Sequence, residues 1–231
     1  MPDRSPFSVD VVVLTSQGRD LAVLLREAER RRERQARERW FLPWGTPKDD
    51  ESLDGAALRV ARRAAGQAPA WIEQVGAFGG DKRHPSDAML SVAYAALLPA
   101  GTPAPDGEGQ WFPLAELPAV PPRQRLMVDA AVGAVRQRLD QAPVAFRLLP
   151  PVFTLSELQE TYELLLGRRL HKASFRRALQ AAYLVEPTDE WRSEGRGRPA
   201  QLFRYAPKRR RGGRRGLRFE MLEEQGAGSR K

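Results

Sequence analysis

Four residues at fixed spacing constrain this chain more than any other feature. Reading from Gly45, Glu51 follows after five residues, Arg59 after seven more, and Gly66 closes the stretch. Ser52 is placed to cap a helix whose apolar residues Leu53, Ala57, Val60, Ala61 and Ala64 share one face, and Gly66 ends it. Glu51 lies before that helix and Arg59 within it, so the pair is expected to tie the loop to the helix.

The rest of the front half alternates strand and helix signals. Phe7 to Leu14 is β-branched and apolar, Gln17-Gly18 makes a turn, and Leu21 to Leu25 returns as a second strand. Glu27 to Arg39 is a dense charge run with no apolar face, read as a solvated insertion or an exposed helix. Trp71 to Phe78 and Met89 to Leu98 read as further strands, with the polar loop Gly79 to Asp87 expected on the surface between them. Pro99 to Gly109 is a Pro/Gly loop, Trp111-Phe112-Pro113-Leu114 a short strand, and Arg123 to Leu139 a helix. That order predicts an α/β fold, a mixed sheet flanked by helices.

Composition excludes several chemistries. The chain has 231 residues, enough for two modest domains, and no cysteine, so disulfides, thiolate catalysis and zinc-thiolate sites are ruled out. His84 and His171 lie far apart in sequence, which argues against a histidine metal site. No apolar run reaches the length of a membrane span, and Met1 to Asp10 lacks a signal-peptide pattern. A soluble, cytoplasmic protein with no membrane partner is expected.

The charge is unevenly spread. Residues 1–143 carry 19 Lys+Arg and 19 Asp+Glu, whereas residues 144–231 carry 19 and 10. A neutral front and a basic back suggest a small-molecule or partner domain joined to a polyanion-binding one. In the back half Thr154 and Glu157 form a capping box, followed by the helical stripe Leu155, Leu158, Tyr162 and Leu165, and Gly167 ends the helix. A second helix from about Lys172 to Tyr183 turns Phe175, Ala178, Leu179 and Ala182 inward and Lys172, Arg176, Arg177 and Gln180 outward. Strand-like Leu184 to Pro187 and Gln201 to Tyr205 flank the turn Glu194-Gly195-Arg196-Gly197-Arg198-Pro199. Helix, turn, basic helix and basic hairpin is the order of a winged helix-turn-helix.

These residue types suit double-stranded DNA. A helix in the major groove needs one face for its own core and the opposite face for the duplex. Lys172, Ser174, Arg176, Arg177 and Gln180 are the candidates on the helix, with arginine suited to guanine or phosphate and glutamine to adenine. At the hairpin the glycines beside Arg196 and Arg198 let those side chains approach a narrow groove or the backbone. The bland alternative is an amphipathic helix with a solvated basic face. The tail from Lys208 reads as disordered, contributing affinity that fades with salt.

At this point the residues resemble a family. The Gly45, Glu51, Arg59, Gly66 frame is that of the Nudix box, in which an Arg-Glu pair and a Glu-Glu pair supply carboxylates for magnesium on a diphosphate. Here those pairs read Arg59-Val60 and Arg63-Ala64. Phe153 to Gln159, Phe175-Arg176-Arg177, Glu186-Pro187, Gly197 to Tyr205, Ser91 to Tyr94 and Trp111 to Pro118 resemble the NrtR-type regulators. The resemblance implies a Nudix-like α/β/α sandwich over 1–143, a winged helix-turn-helix domain over 144–207 and a basic tail over 208–231. It further implies a homodimeric repressor on a palindromic operator, commonly of NAD metabolism genes, that responds to ADP-ribose or a related nucleotide. The chain departs from the pattern at Trp44-Gly45, where the family usually has two glycines, and at Pro121 to Arg125, where Phe-Asp-His often precedes the helix.

Without the glutamates, Arg63 is the candidate to offset a diphosphate directly, with Lys48 or Arg83 beside it. A solvated arginine on an exposed helix face is the alternative. No catalytic residue, metal ligand or cofactor is assigned. Two other readings stand against the repressor. One is a magnesium-dependent nucleotide-diphosphate hydrolase in which Asp49, Asp50 or Asp54 substitutes and the basic domain serves localisation. The other is an RNA-binding module, which would lack the exposed aromatic platforms of single-strand readers.

Overall fold

Alternation along the first strand places every second side chain on one side of a sheet, and that rule organises the front of the molecule. The computed structural model describes residues 7–28, 38–80, 84, 88–105, 109–139, 143–193 and 199–206. The chain divides into two compact units, Met1–Ala134 and Val135–Lys231.

The first unit contains β1 (Phe7–Gln17), β2 (Asp20–Glu27), β3 (Trp40–Phe41), β4 (Trp44–Gly45), α1 (Leu53–Ala65), β5 (Trp71–Gly79), β6 (Leu90–Leu97), β7 (Gly109–Pro113) and most of α2 (Pro122–Leu139). Seven strands form one mixed sheet along the path β3-β2-β1-β6-β5, with β4 on β1 and β7 on β2. β1 and β6 are parallel and in register from Phe7 opposite Leu90 to Leu14 opposite Leu97. The other pairs are antiparallel. On one face Val9, Val11, Val13, Leu24, Val92, Tyr94, Ala96 and Leu98 meet Ala56, Ala57, Val60, Ala61, Ala64 and Ala65 of α1. Six small or branched side chains on the helix let it lie close against the strands, burying the apolar area that stabilises the pair.

One expectation about this unit needs correction. The loop from Gly79 to Asp87, expected on the surface, contains the buried His84, because that ring finds a carboxylate partner inside. The short strands β3 and β4 were absent from the sequence reading, since two residues give no periodicity. The charge run Glu27 to Arg39 leaves and re-enters the sheet between paired strand ends, where Arg39 Nε donates to Glu27 Oε1 at 2.9 Å. Residues 29–37 of that run lie outside the described residues.

The second unit takes the last turn of α2, a 3-10 turn at Val144–Arg147, β8 (Val152–Phe153), α3 (Leu155–Leu166), α4 (Lys172–Ala182), β9 (Val185–Arg192) and β10 (Ala200–Tyr205). Its sheet has the order β8-β10-β9, antiparallel throughout. The capping box forms as expected, with Glu157 N–H donating to Thr154 Oγ1 at 3.1 Å and Thr154 N–H to Glu157 Oε2 at 2.6 Å. Gly167 ends α3 at φ 71°. A Cβ there would sit 2.8 Å from Arg136 Nη2, whose Nε donates to the Leu165 carbonyl at 3.1 Å. The left-handed turn is what favours glycine here, since the end of the arginine side chain can move aside. Phe146 packs against Phe153, Tyr162 and Tyr205, and Tyr162 against Phe175, an aromatic centre joining helices to sheet. β8 and the role of Phe146 were not legible in the sequence. No helix among the described residues is long and apolar enough to cross a membrane.

Candidate effector and nucleic-acid sites

The loop before α1 is held by the expected pair. Arg59 Nε donates to Glu51 Oε1 at 2.7 Å and Nη2 to Oε2 at 2.6 Å, while Nη2 also reaches the Thr46 carbonyl at 2.9 Å. The Lys48 N–H completes the clasp on Glu51 Oε2 at 2.9 Å. The Arg59 hydrogen bonds, then the Lys48 N–H, take the Glu51 carboxyl from an ordinary 4.5 down to about 2. In return Glu51 raises the Arg59 guanidinium above its usual value. A Cβ at Gly45 would lie 3.0 Å from Val60 Cγ2, a tight contact that glycine avoids where the loop approaches the helix.

The vacated carboxylate positions have become core. Val60 is 5% exposed and Ala64 8%, both packed on the sheet, while Arg63 is exposed on the outer face of α1. Asp54, at the first turn, accepts a hydrogen bond from Tyr94 Oη at 2.7 Å; burial, then that carboxylate, pushes the Tyr94 hydroxyl up. A hard divalent cation would meet a methyl, an isopropyl and a guanidinium where it needs oxygens, so these residues do not fit magnesium. Among the described residues no three His, Asp or Glu side chains gather into a metal-holding group. Lys48 is exposed in the loop, and Arg83 lies outside the described residues.

A buried polar cluster occupies the opposite side of the sheet. Asp10 accepts from Ser8 Oγ at 2.7 Å, from His84 Nε2 at 2.8 Å and from Gln124 Nε2 at 3.1 Å. The Asp10 and His84 side chains are both 0% exposed. Gln124 is fixed in orientation by the Leu42 N–H, which donates to its Oε1 at 2.8 Å. Ser8 and Ser91 face each other across β1 and β6, their hydroxyls 2.9 Å apart. Arg123 joins through Nη1, which donates to the Ala88 carbonyl at 2.9 Å and to Ser91 Oγ at 3.4 Å. The Trp44 ring stands edge-on to His84, centroids 5.3 Å apart. Both departures from the family pattern, at Trp44 and at Pro121 to Arg125, thus meet in one cluster. The sequence held one signal of it: Asp10 inside an apolar strand, where a charge demands buried partners.

In the second unit α4 has the expected two faces. Phe175 and Leu179 are buried, and Lys172, Arg176, Arg177 and Gln180 are exposed. Ser174 is half-buried, its Oγ 3.3 Å from His171 Nδ1. Other arginines of the unit have acids: Arg169 with Glu163 at 3.0 Å, Arg192 with Glu157 at 2.6 Å and Arg204 with Glu186 at 3.3 Å. Burial pushes the Glu163 carboxyl up, but the Leu170 N–H, Gln159 and Arg169 outweigh it and hold it below the usual range. Arg192 of β9 thereby ties the hairpin to the first turn of α3. Arg196 and Arg198, expected at the hairpin tip, and the tail from Lys208 lie outside the described residues.

A mixed Nudix-like sheet in one unit and, in the other, a winged helix whose basic face has no ion pair among the described residues give the build of a two-domain regulator. The family model of the NUDIX domain matches residues 4–131, and that of the NrtR DNA-binding winged helix domain matches residues 145–205. The chain belongs to the NrtR family. It is 31% identical over 177 residues to the ADPR responsive transcriptional repressor NtrR of Acinetobacter baylyi, a span covering 72% of this chain and 70% of that one. The crystal structure of Shewanella oneidensis NrtR complexed with a 27mer DNA is similar at 31% identity and a TM-score of 0.73, covering 88% of this chain and 94% of its own. A MutT/nudix family protein from Enterococcus faecalis shares the fold at 20% identity and a TM-score of 0.68, with 89% and 90% covered.

Proposed function

We propose that the protein is a DNA-binding transcriptional repressor whose Nudix domain senses ADP-ribose, or a related nucleotide, without hydrolysing it. The observation that carries this reading is the burial of Val60 and Ala64 in the core beneath an intact Glu51–Arg59 clasp. The loop and helix of the hydrolase keep their shape, while two positions that would hold the metal are given to packing. The repressor from Acinetobacter baylyi, named for its response to ADPR, supports the effector class. The Shewanella oneidensis structure with DNA supports the duplex as partner.

On this reading α4 enters the major groove, with Arg176, Arg177 and Gln180 toward base edges and Lys172 and Ser174 toward phosphate. Arg196 and Arg198 belong to the segment between β9 and β10 and follow the duplex backbone or its minor groove. The active form is a homodimer on a palindromic operator, since symmetric half-sites mirror a two-fold protein, and NAD metabolism genes are its targets. An effector that binds free protein better than DNA-bound protein releases the operator by reciprocal coupling. Of the cations offered to the effector, Lys48 and Arg63 stand solvated, and Arg83 is the third. Unchanged ADP-ribose affinity in Arg63→Ala would remove Arg63 from that set.

The test is fluorescence anisotropy of the full chain on its own upstream DNA, titrated with ADP-ribose. Tight binding that ADP-ribose reverses is the expected result. Magnesium-dependent release of AMP from ADP-ribose would instead restore the hydrolase reading.

A further inference from the structure

Arg123 is a buried cation that is only partly used. It is 3% exposed, and Nη1 alone is engaged, on the Ala88 carbonyl and Ser91 Oγ. Nε and Nη2 are buried with no hydrogen-bond partner among the described residues. Arginine stays protonated in proteins, so a full positive charge lies inside with one edge unpaired. Folding does not leave such donors idle without a cost. The free edge is also a particular one. The Nε–Nη2 side of a guanidinium presents two parallel N–H groups that match two oxygens of a phosphate or carboxylate. The two contacts of Nη1 hold the plane of the group and so preset the direction of that edge.

The nearby acid is already committed. Asp10 takes donors from Ser8, His84 and Gln124, and among the described residues it connects to Arg123 through the hydroxyls of Ser8 and Ser91. The first turn of α2 has no acidic residue, so the positive end of the helix adds to the potential at Arg123 instead of offsetting it. Arg63, by contrast, stands exposed on α1, where water screens it. Trp44 and the segment Pro121 to Arg125, where the chain departs from the family pattern, both border this cluster.

We infer that the Nε–Nη2 edge of Arg123 holds one phosphate of the effector's diphosphate, on the side of the sheet opposite α1. This inference rests on the reading of the chain as a nucleotide-responsive repressor. Because the edge is shielded from solvent, the anion binds a conformation in which the shield has moved. A ligand with that preference between two states is what shifts an equilibrium.

The test uses the full chain, with calorimetric titration of ADP-ribose and thermal unfolding in inorganic pyrophosphate. Arg123→Lys keeps the charge and loses the paired edge, and weakens ADP-ribose binding by about 10- to 100-fold. Arg123→Met removes the buried charge altogether; it binds still more weakly and unfolds at an unchanged or higher temperature. Arg62→Ala, which removes an exposed charge of α1 outside the proposed contacts, shifts the affinity by less than about threefold. A folded Arg123 variant that binds ADP-ribose as the unaltered protein does overturns the inference and leaves the repressor reading intact. If the unaltered protein ignores ADP-ribose, pyrophosphate decides. An unfolding temperature raised in it but not in Arg123→Met keeps the anion site and discards ADP-ribose as effector. No rise in either discards the anion site as well.

Discussion

Arg59 on α1 and Arg176 on α4 both rise from helices that bury one apolar face, yet only Arg59 meets an acid. Glu51 accepts from it at 2.6 and 2.7 Å, whereas Arg176 and Arg177 stand exposed with no ion pair among the described residues. Arg169, Arg192 and Arg204, away from that face, are paired with Glu163, Glu157 and Glu186. In the first unit, then, charge at the motif serves to fix a loop or has been replaced by packing. In the second, charge off the α4 face fixes the scaffold and charge on it is left over. An exposed cation held on a rigid helix costs little in water and gains by releasing counterions from a polyanion. The comparison teaches that the pairing state of an arginine, more than its presence, separates a frame from a binding face.

That contrast can be broken at either end. The largest effect is expected for Val60→Glu, which restores the carboxylate of the hydrolase motif to a position 5% exposed. An unpaired charge in that core should destabilise the chain by about 3–5 kcal/mol, read as a lower denaturant midpoint. A neutral result would mean that α1 can rise from the sheet and the position is not committed to packing. Next comes Arg176→Ala with Arg177→Ala. The double variant should weaken operator binding by about 2–4 kcal/mol and flatten the salt dependence, with the unfolding midpoint unmoved. Loss of stability instead of affinity would place those side chains in the scaffold.

Smaller effects sharpen the same contrast. Thr154→Ala removes one half of the capping box and should cost about 1 kcal/mol, lowering the stability of the winged helix without changing the salt slope of DNA binding. The smallest effect is expected at the loop clasp. The folded Glu51 carboxyl lies near 2 against an ordinary 4.5. Its contribution is therefore fully present above about 4.5 and is lost as pH falls toward 2. Glu51→Gln should start from lower stability at neutral pH and lose less of it on acidification. Parallel acid curves for the two proteins would show that the clasp adds nothing to folding.

Much of this was written locally. The strand alternation from Phe7, the Ser52 cap, the Thr154–Glu157 box and the periodicity of α4 each depend on residues within a turn or two of one another. The Asp10 cluster was not, because Ser8, His84, Ser91 and Gln124 come from four separate stretches of chain. His84 in particular sits among polar residues that read as surface. Phe146 escaped notice for a similar reason, since its partners Phe153, Tyr162 and Tyr205 are brought to it only by the assembled fold. Two-residue strands such as β8 exist only because β10 offers them a hydrogen-bonding edge.

The sequence by itself determined the order of elements, the family frame, the missing metal ligands and the two faces of α4. Those follow from residue type and period, which a chain carries before it folds. Only the tertiary structure decided that Val60 and Ala64 close a core, and that one edge of Arg123 has no partner among the described residues. Burial and pairing are properties of neighbours in space, and a buried charge declares itself only once every group around it has taken its own partner.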